Sequence, residues 1–190
     1  MRQSREEKAK THDRIVGITA GRIREAGLEG PSVAEIMQAA GLTHGGFYKH
    51  FGSRDDLIAE AAERAFAESE RTVQDITHGA DDPLAALVEW YLSARHRDDA
   101  AGGCPVVALG DDARRADDRL RAAYRRQVES YLANLERIVG GGEDPRRRAT
   151  VVLSMLVGSV MLARAVDDEA LSDDILRDVR DALLAHTAGT

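Results

Sequence analysis

The stretch that most limits what this chain can fold into runs from Ser32 to Leu57, SVAEIMQAAGLTHGGFYKHFGSRDDL, where three helix starts follow one another in quick succession. Ser32 followed by Glu35 is a capping box: the hydroxyl takes a free backbone N–H and the carboxylate reaches back. Val33, Ile36, Met37 and Ala40 recur at i, i+3, i+4 and i+7, which gives a helix with one apolar face. Gly41 supplies the left-handed stop that a helix C-terminus favours. Leu42 follows as a buried anchor, and Thr43 is placed to cap a very short helix from His44 to about His50. In that helix Phe47 and Phe51 face inward, while His44, Gly45, Tyr48, Lys49 and His50 face out. Ser53 with Asp56 repeats the capping pattern before Leu57 opens a longer helix. Two helices joined by a short Gly-containing turn form a helix-turn-helix, whose second helix enters the major groove of DNA. The competing reading is a helical hairpin that touches no nucleic acid, in which paired glycines and a solvated Tyr-Lys-His surface would have little purpose.

Charge supports the first reading only through its distribution. The chain of 190 residues carries a formal net charge of −7. Residues 1–54 hold nine Lys/Arg and six Asp/Glu, leaving 17 and 27 for the remainder. A basic head on an acidic body keeps an electrostatic footprint for a polyanion while the rest stays soluble. An arm with Arg2, Arg5, Lys8 and Lys10 precedes the first helix; it either tracks phosphates or is a solvated terminus. The one cysteine, Cys104, excludes an intrachain disulfide and a four-cysteine zinc site. The polar N-terminus is no signal peptide. The longest apolar run, Ala149 to Ala163, is about fifteen residues, too short to span a bilayer. A cytoplasmic protein with no membrane partner is therefore expected. The histidines lack paired ligand spacing with a carboxylate, and the acidic pairs fall in loops or at helix starts. No metal, no cofactor and no catalytic activity are expected.

The rest of the pattern is helical, so the fold class expected is all-α, with about nine helices. A first helix, Thr11 to Ala26, presents Ile15, Thr19 and Ile23. A long helix from Ser53 to about Thr77 turns Ile58, Ala62, Phe66, Ser69 and Val73 inward. Asp82-Pro83 starts the next, with Pro at the first helical position. Asp98 to Gly103 reads as a loop, and Cys104-Pro105 opens a short helix through Leu109. Asp117 caps a long helix that Gly140-Gly141-Gly142 stops. Asp144-Pro145 restarts the chain into a helix that is apolar almost all round, which implies burial on every side. Ser172 is placed to cap the last helix. These two helices are wider in apolar surface than one core needs. They are expected to form a four-helix interface between two copies of the chain, through Val152, Leu156, Ser159, Val160, Ile175, Val179 and Leu183.

The tract Thr43–Phe51 (THGGFYKHF), with Gly41 before it and Ser53-Arg54-Asp55-Asp56-Leu57 after it, resembles the TetR/AcrR family of bacterial regulators. The resemblance runs in detail from about Thr11 to Phe66. Beyond that it rests on length, the helical pattern and a Gly103-Cys104-Pro105 segment seen in one large subgroup. It implies an N-terminal helix-turn-helix DNA-binding domain, residues 1–52, and a helical ligand-binding and dimerisation domain, residues 53–190. It implies a homodimeric repressor released from a palindromic double-stranded operator by a small-molecule effector. The DNA contacts it implies are Ser32, Ala34, Thr43, His44, Gly45, Gly46, Tyr48, Lys49, His50 and Arg54. Of these, Thr43, Tyr48 and His50 would reach phosphates, Lys49 a phosphate or a base edge, and Arg54 would complete the clamp, with His44 and Ala34 reading bases. Gly45-Gly46 departs from the commoner family pairs. For a ligand the resemblance points to Phe66, Trp90, Tyr91, Cys104, Tyr124, Tyr131 and Met155, each of which reads more readily as ordinary core. Cys104 stands at a helix start, where the dipole lowers a thiol pKa, so a redox- or electrophile-sensing regulator is one alternative. A helical protein–protein adaptor without operator binding is another.

Overall fold

Helix starts marked in the sequence appear where a side chain can take the first free N–H groups. The computed structural model describes residues 5–140 and 144–187. Among them are nine α-helices and one 3-10 helix, with no strand. The order is α1 (Arg5–Ala26), α2 (Val33–Ala39), a 3-10 helix (His44–Lys49), α3 (Arg54–Thr77), α4 (Pro83–Tyr91), α5 (Ala94–Asp98), α6 (Pro105–Arg115), α7 (Asp118–Val139), α8 (Pro145–Ala165) and α9 (Glu169–Thr187). Ser32, Ser53, Asp82, Asp117 and Asp144 each accept from an N–H of the first turn of the helix they precede. Arg2, Gly141 and Gly142 lie outside the described residues.

Several boundaries differ from the expectation, each for a local reason. α1 starts at Arg5, and the Lys10–Glu6 pair at 2.6 Å lies on its first turns. α6 continues past Leu109 to Arg115, carried by Arg115 to Asp111 and Asp112 pairs. A short helix the sequence did not announce, α5, capped by Ser93, lies between α4 and the expected loop Asp98–Gly103, which is non-helical beyond Asp98. α9 starts at Glu169, so Ser172 is not its cap. Asp168 accepts from Leu171 N instead, at 3.0 Å, and buried Ser172 donates to the Ala163 carbonyl at 2.8 Å. α8 has 21 residues, longer than the apolar run suggested, and is long and apolar enough by composition to cross a membrane. It packs instead between α7 and α9.

Two cores result. The smaller joins Ile15 and Val16 of α1, Ile36, Met37 and Ala40, then Phe47, Phe51 and Leu57. The larger runs from Ala20 and Ile23 of α1 through α3 to α9. α1 and α3 therefore contribute to both, and an ion network fixes them side by side. Glu68 receives Arg24 Nη2 at 3.0 Å and Arg64 Nε at 2.6 Å, and Arg64 reaches Asp13 at 2.7 Å. A second tie runs from the body into the loop after α1, where Asp112 Oδ2 accepts from Leu28 N at 2.9 Å.

The face of α8 expected to meet a partner is turned the other way. Val152, Leu156, Ser159 and Val160 are buried in the chain's own core, as is Leu183 of α9, while Ile175 and Val179 are half-buried against it. The opposite side is left open: Val151 is 51% exposed, Met161 53% and Leu162 51%. Ser154 and Ala165 extend this exposed stripe, and Leu171 of α9 is exposed as well.

Candidate nucleic-acid interface

The turn after α2 aims the short helix. Leu42 N donates to Met37 O at 2.8 Å and Gly41 N to Gln38 O at 2.9 Å. With Gly41 at φ 68 this is a Schellman stop, a conformation a side chain would strain. The chain then turns into His44–Lys49, held by Gly46 N to Thr43 O and His50 N to Phe47 O, both at 2.9 Å. These are i to i+3 bonds, so the reading segment is a 3-10 helix, tighter than the α-helix expected. Two adjacent glycines, the weakest helix formers here apart from Pro, account for it.

Phe47 is buried and stacks near Phe51, with centroids 5.5 Å apart. Tyr48 stands edge-on to Phe47 at 5.2 Å and is 72% exposed, so the buried ring holds the next one out in water. His44, Gly45 and Lys49 are exposed beside it, as are Thr43 and Ala34. Thr43 makes no side-chain cap bond, contrary to its expected capping role. A Cβ on Gly45 would meet nothing within 4 Å, and one on Gly46 would touch Met37 Cε at 3.5 Å.

His50 is half-buried and its Nδ1 has no partner. Burial, then Lys8, His12 and Lys49, push its pKa down, so the ring is neutral at pH 7. His12 of α1 stacks on Phe51 at 4.5 Å and reaches Glu60 at 3.2 Å. Lys8 of α1 thus lies close enough to His50 for its charge to act on the ring, a placement the sequence left open.

Two expected contacts are occupied inside the chain. Ser32 Oγ donates to Glu35 Oε2 at 2.7 Å and accepts from Glu35 N at 3.2 Å, which also holds the Glu35 carboxyl below its usual range. Arg54 Nη2 donates to Leu28 O at 2.6 Å and Pro31 O at 3.2 Å. Arg54 bolts the loop between α1 and α2 to the start of α3.

In the body, three of the residues expected at a ligand come together. Cys104 is 1% exposed and lies against both phenols; burial first, then Cys104, pushes Tyr91 and Tyr131 up. Tyr131 and Ser69 hydroxyls meet at 2.5 Å, and Gln127 adjoins Tyr131. Phe66 and Tyr124 are edge-on at 6.2 Å, with the Tyr124 hydroxyl on Val106 O at 3.0 Å. Trp90 is half-buried against His96 at 4.6 Å. Met155 lies elsewhere, in a groove of about 590 Å³ with Leu84, Val139, Val152 and Leu183. Ser69 and Gln127, polar residues on the inward stripes of α3 and α7, are buried beside Tyr131 and were not among the residues expected at a ligand.

Comparison with known proteins decides what this architecture belongs to. Residues 20–61 match the family model of bacterial regulatory proteins, tetR family, and residues 80–179 match the tetracyclin repressor-like C-terminal domain. The chain belongs to the TetR family. An uncharacterized HTH-type transcriptional regulator of Mycobacterium tuberculosis is 30% identical over 184 residues, covering 92% of this chain and 94% of the relative. The HTH-type transcriptional repressor DhaR of a Mycobacterium species is 22% identical over 172 residues, covering 86% and 87%. In fold, a TetR transcriptional regulator from Chloroflexus aurantiacus superposes with a TM-score of 0.84 at 21% identity, over 97% of this chain and 98% of that one. The TetR-family chain is thus a DNA-binding transcriptional regulator with an N-terminal helix-turn-helix and a helical C-terminal domain. Relatives and fold are those of regulators, and nothing in them points to catalysis.

Proposed function

We propose that the chain is a homodimeric repressor that grips a pseudo-palindromic operator with the Thr43–His50 face of each subunit and lets go when a small molecule occupies the body. The observation that carries this reading is Tyr48, held in water on the edge of buried Phe47 next to exposed Lys49. An aromatic and a cation so presented have no part in the chain's own core, and both suit phosphate contact. Thr43, Tyr48 and His50 position the duplex. His44 and Ala34 read base edges, and Gly45 and Gly46 let the backbone approach them closely. Ser32 and Arg54 shape the head from inside. The head is residues 1–52 and the body residues 53–190.

The second subunit covers the open stripe of α8, Val151, Ser154, Met161 and Leu162, together with Leu171. An apolar stripe of this kind on a long helix suits an isologous contact. A repressor output follows the printed name of the similar DhaR. The regulator works in the cytoplasm, where DNA is. Redox sensing through Cys104 is not favoured, because a thiol 1% exposed has little access to an oxidant.

The test is retardation of the DNA flanking the chain's own gene, with the stoichiometry of the complex. Two subunits per half-site pair are expected, and Tyr48→Ala with Lys49→Ala should abolish the shift while the fold persists. No shift at low salt supports the adaptor alternative instead, and a shift retained by the double variant moves the DNA contact off the Tyr48–Lys49 face.

A further inference from the structure

We infer that two copies of the chain pair with their α8 helices antiparallel, crossing at Gly158, so that Arg147 of each subunit meets the acidic turn Asp167–Glu169 of the other. The inference rests on the reading of the chain as a homodimer and names the direction and register of the contact. Arg147, Val151, Ser154, Gly158, Met161 and Ala165 follow one another at spacings of four and three, so they form one line along α8. All are exposed except Gly158, which is half-buried. Gly158 is also the midpoint of the line, because Val151 and Ala165 each stand seven positions from it.

Nothing in the chain's own packing calls for a glycine there. A Cβ on Gly158 would meet nothing within 4 Å, whereas one on Gly21 would touch Ala101 at 3.9 Å and one on Gly110 would crowd the Tyr124 hydroxyl at 3.1 Å. A glycine inside a helix weakens it relative to alanine, and its use is to let another backbone come close. Gly17 of α1 is equally open, but Asp13 and Arg14 beside it are exposed charges. Around Gly158 the exposed side chains are Val151, Met161 and Leu162, an apolar surface that a second helix would cover.

Charge sets the direction. Arg147 lies in the first turn of α8, and the exposed Asp167, Asp168 and Glu169 follow its end. Asp168 is turned onto Leu171 N at 3.0 Å. The Arg147 guanidinium and the Asp167 and Glu169 carboxylates have no partner among the described residues. In a parallel pair Arg147 would face its own copy and the acidic turns would face each other. An antiparallel pair brings opposite charges together at both ends and opposes the two helix dipoles. Shape agrees with this register. It sets the partner's Leu162 opposite the small Ser154, beside the groove of about 590 Å³ that Val151, Met155, Leu84 and Leu183 line.

Cysteine cross-linking of the full-length protein reads the register directly. Two α-carbons must lie within about 7 Å for a disulfide, and in an antiparallel pair the two copies of Val151 are about 21 Å apart along the axis. Under mild oxidation Gly158→Cys should give a covalent dimer and Val151→Cys should not. Val151→Cys combined with Ala165→Cys should cross-link again. The unmodified protein, whose one cysteine is buried, is the control. In sedimentation, Arg147→Glu should weaken the dimer about tenfold, and Asp167→Arg with Glu169→Arg should do the same. The chain carrying all three changes should return to within about threefold of the original. A cross-link in Val151→Cys alone overturns the direction. No cross-link in either Gly158→Cys or the Val151, Ala165 double variant overturns the register, and failure of the three changes to restore the dimer overturns the charge pairing. Sedimentation and own-gene DNA retardation of the unmodified protein separate these outcomes from the reading beneath them. A monomer that retards nothing overturns both, and a dimer that retards DNA without the expected cross-links counts against the register alone.

Discussion

The head and the body bury apolar surface in the same way but treat their polar groups in opposite ways. In the head, Phe47, Phe51, Ile36 and Met37 close a small core, and Tyr48, Lys49, His44 and Thr43 stand in water around it. In the body, Tyr91, Tyr131, Ser69, Gln127 and Cys104 are shut inside a core many times larger. A polar group in water is available to a polyanion without any rearrangement of the core. One that is buried and unpaired waits for a partner that can displace what little lies around it. The difference fits the two tasks proposed for the chain, reading a charged surface and enclosing a small molecule.

The comparison breaks most visibly at the cores. Phe47→Ala should destabilise the head by about 3–5 kcal/mol and remove DNA retardation, while body helices still melt as one unit in calorimetry. Leu156→Ala, costing about 2–5 kcal/mol in the body, should lower the main transition instead. A single transition lowered equally by both would erase the distinction between the two cores.

On α8 the two sides of one helix replace head and body. Met161→Glu puts a charge on the exposed stripe, and sedimentation should show a folded monomer that no longer retards the operator. Val160→Glu, on the buried side, should fail to fold, because an unpaired charge in a core costs several kcal/mol. A dimeric Met161→Glu protein would remove the stripe from the interface.

Acid sharpens the contrast further. Burial pushes the His96 pKa down, and its Nε2 is already an acceptor from Cys104 N. The unfolded chain protonates near the ordinary value of 6.5, while folded His96 resists until lower pH. Its contribution is therefore complete above about pH 6.5 and is lost as pH falls through the folded value. Urea midpoints should decline from pH 7 to pH 5, less steeply in His96→Gln.

The smallest effect should come from Gly45→Ala. A Cβ there meets nothing, so the short helix should gain up to about 1 kcal/mol, yet operator affinity should fall as the methyl meets the groove. A stabilised head with unchanged affinity would mean that the backbone at Gly45 does not approach DNA.

Much of this was legible along the chain, and the gaps have physical causes. Ser32 with Glu35, Gly41, Ser53 and Asp117 announce helix ends through their own side-chain chemistry, so those boundaries fell where the residues put them. The rotation of α8 was not legible, because a helix apolar all round gives no sign of which side its own core claims. Val152 and Met161 look alike in sequence and differ only in what lies opposite. Ser172 looks like a cap until Asp168 takes the turn and the Ala163 carbonyl takes the hydroxyl. Arg54 looks like a phosphate clamp, and only the folded loop shows that Leu28 and Pro31 carbonyls occupy it. Long-range partners of this kind leave no local pattern.

The central claim is that exposed cations of the head, Lys49 of the short helix with Arg5 and Lys8 of α1, meet phosphates in both halves of a symmetric site. Operator affinity measured against salt concentration tests it most directly. The unmodified dimer should give a log–log slope between about −4 and −9, and Lys49→Ala should make it shallower by about 2, one phosphate contact per subunit. A slope near zero, or one that Lys49→Ala leaves unchanged, would contradict the account.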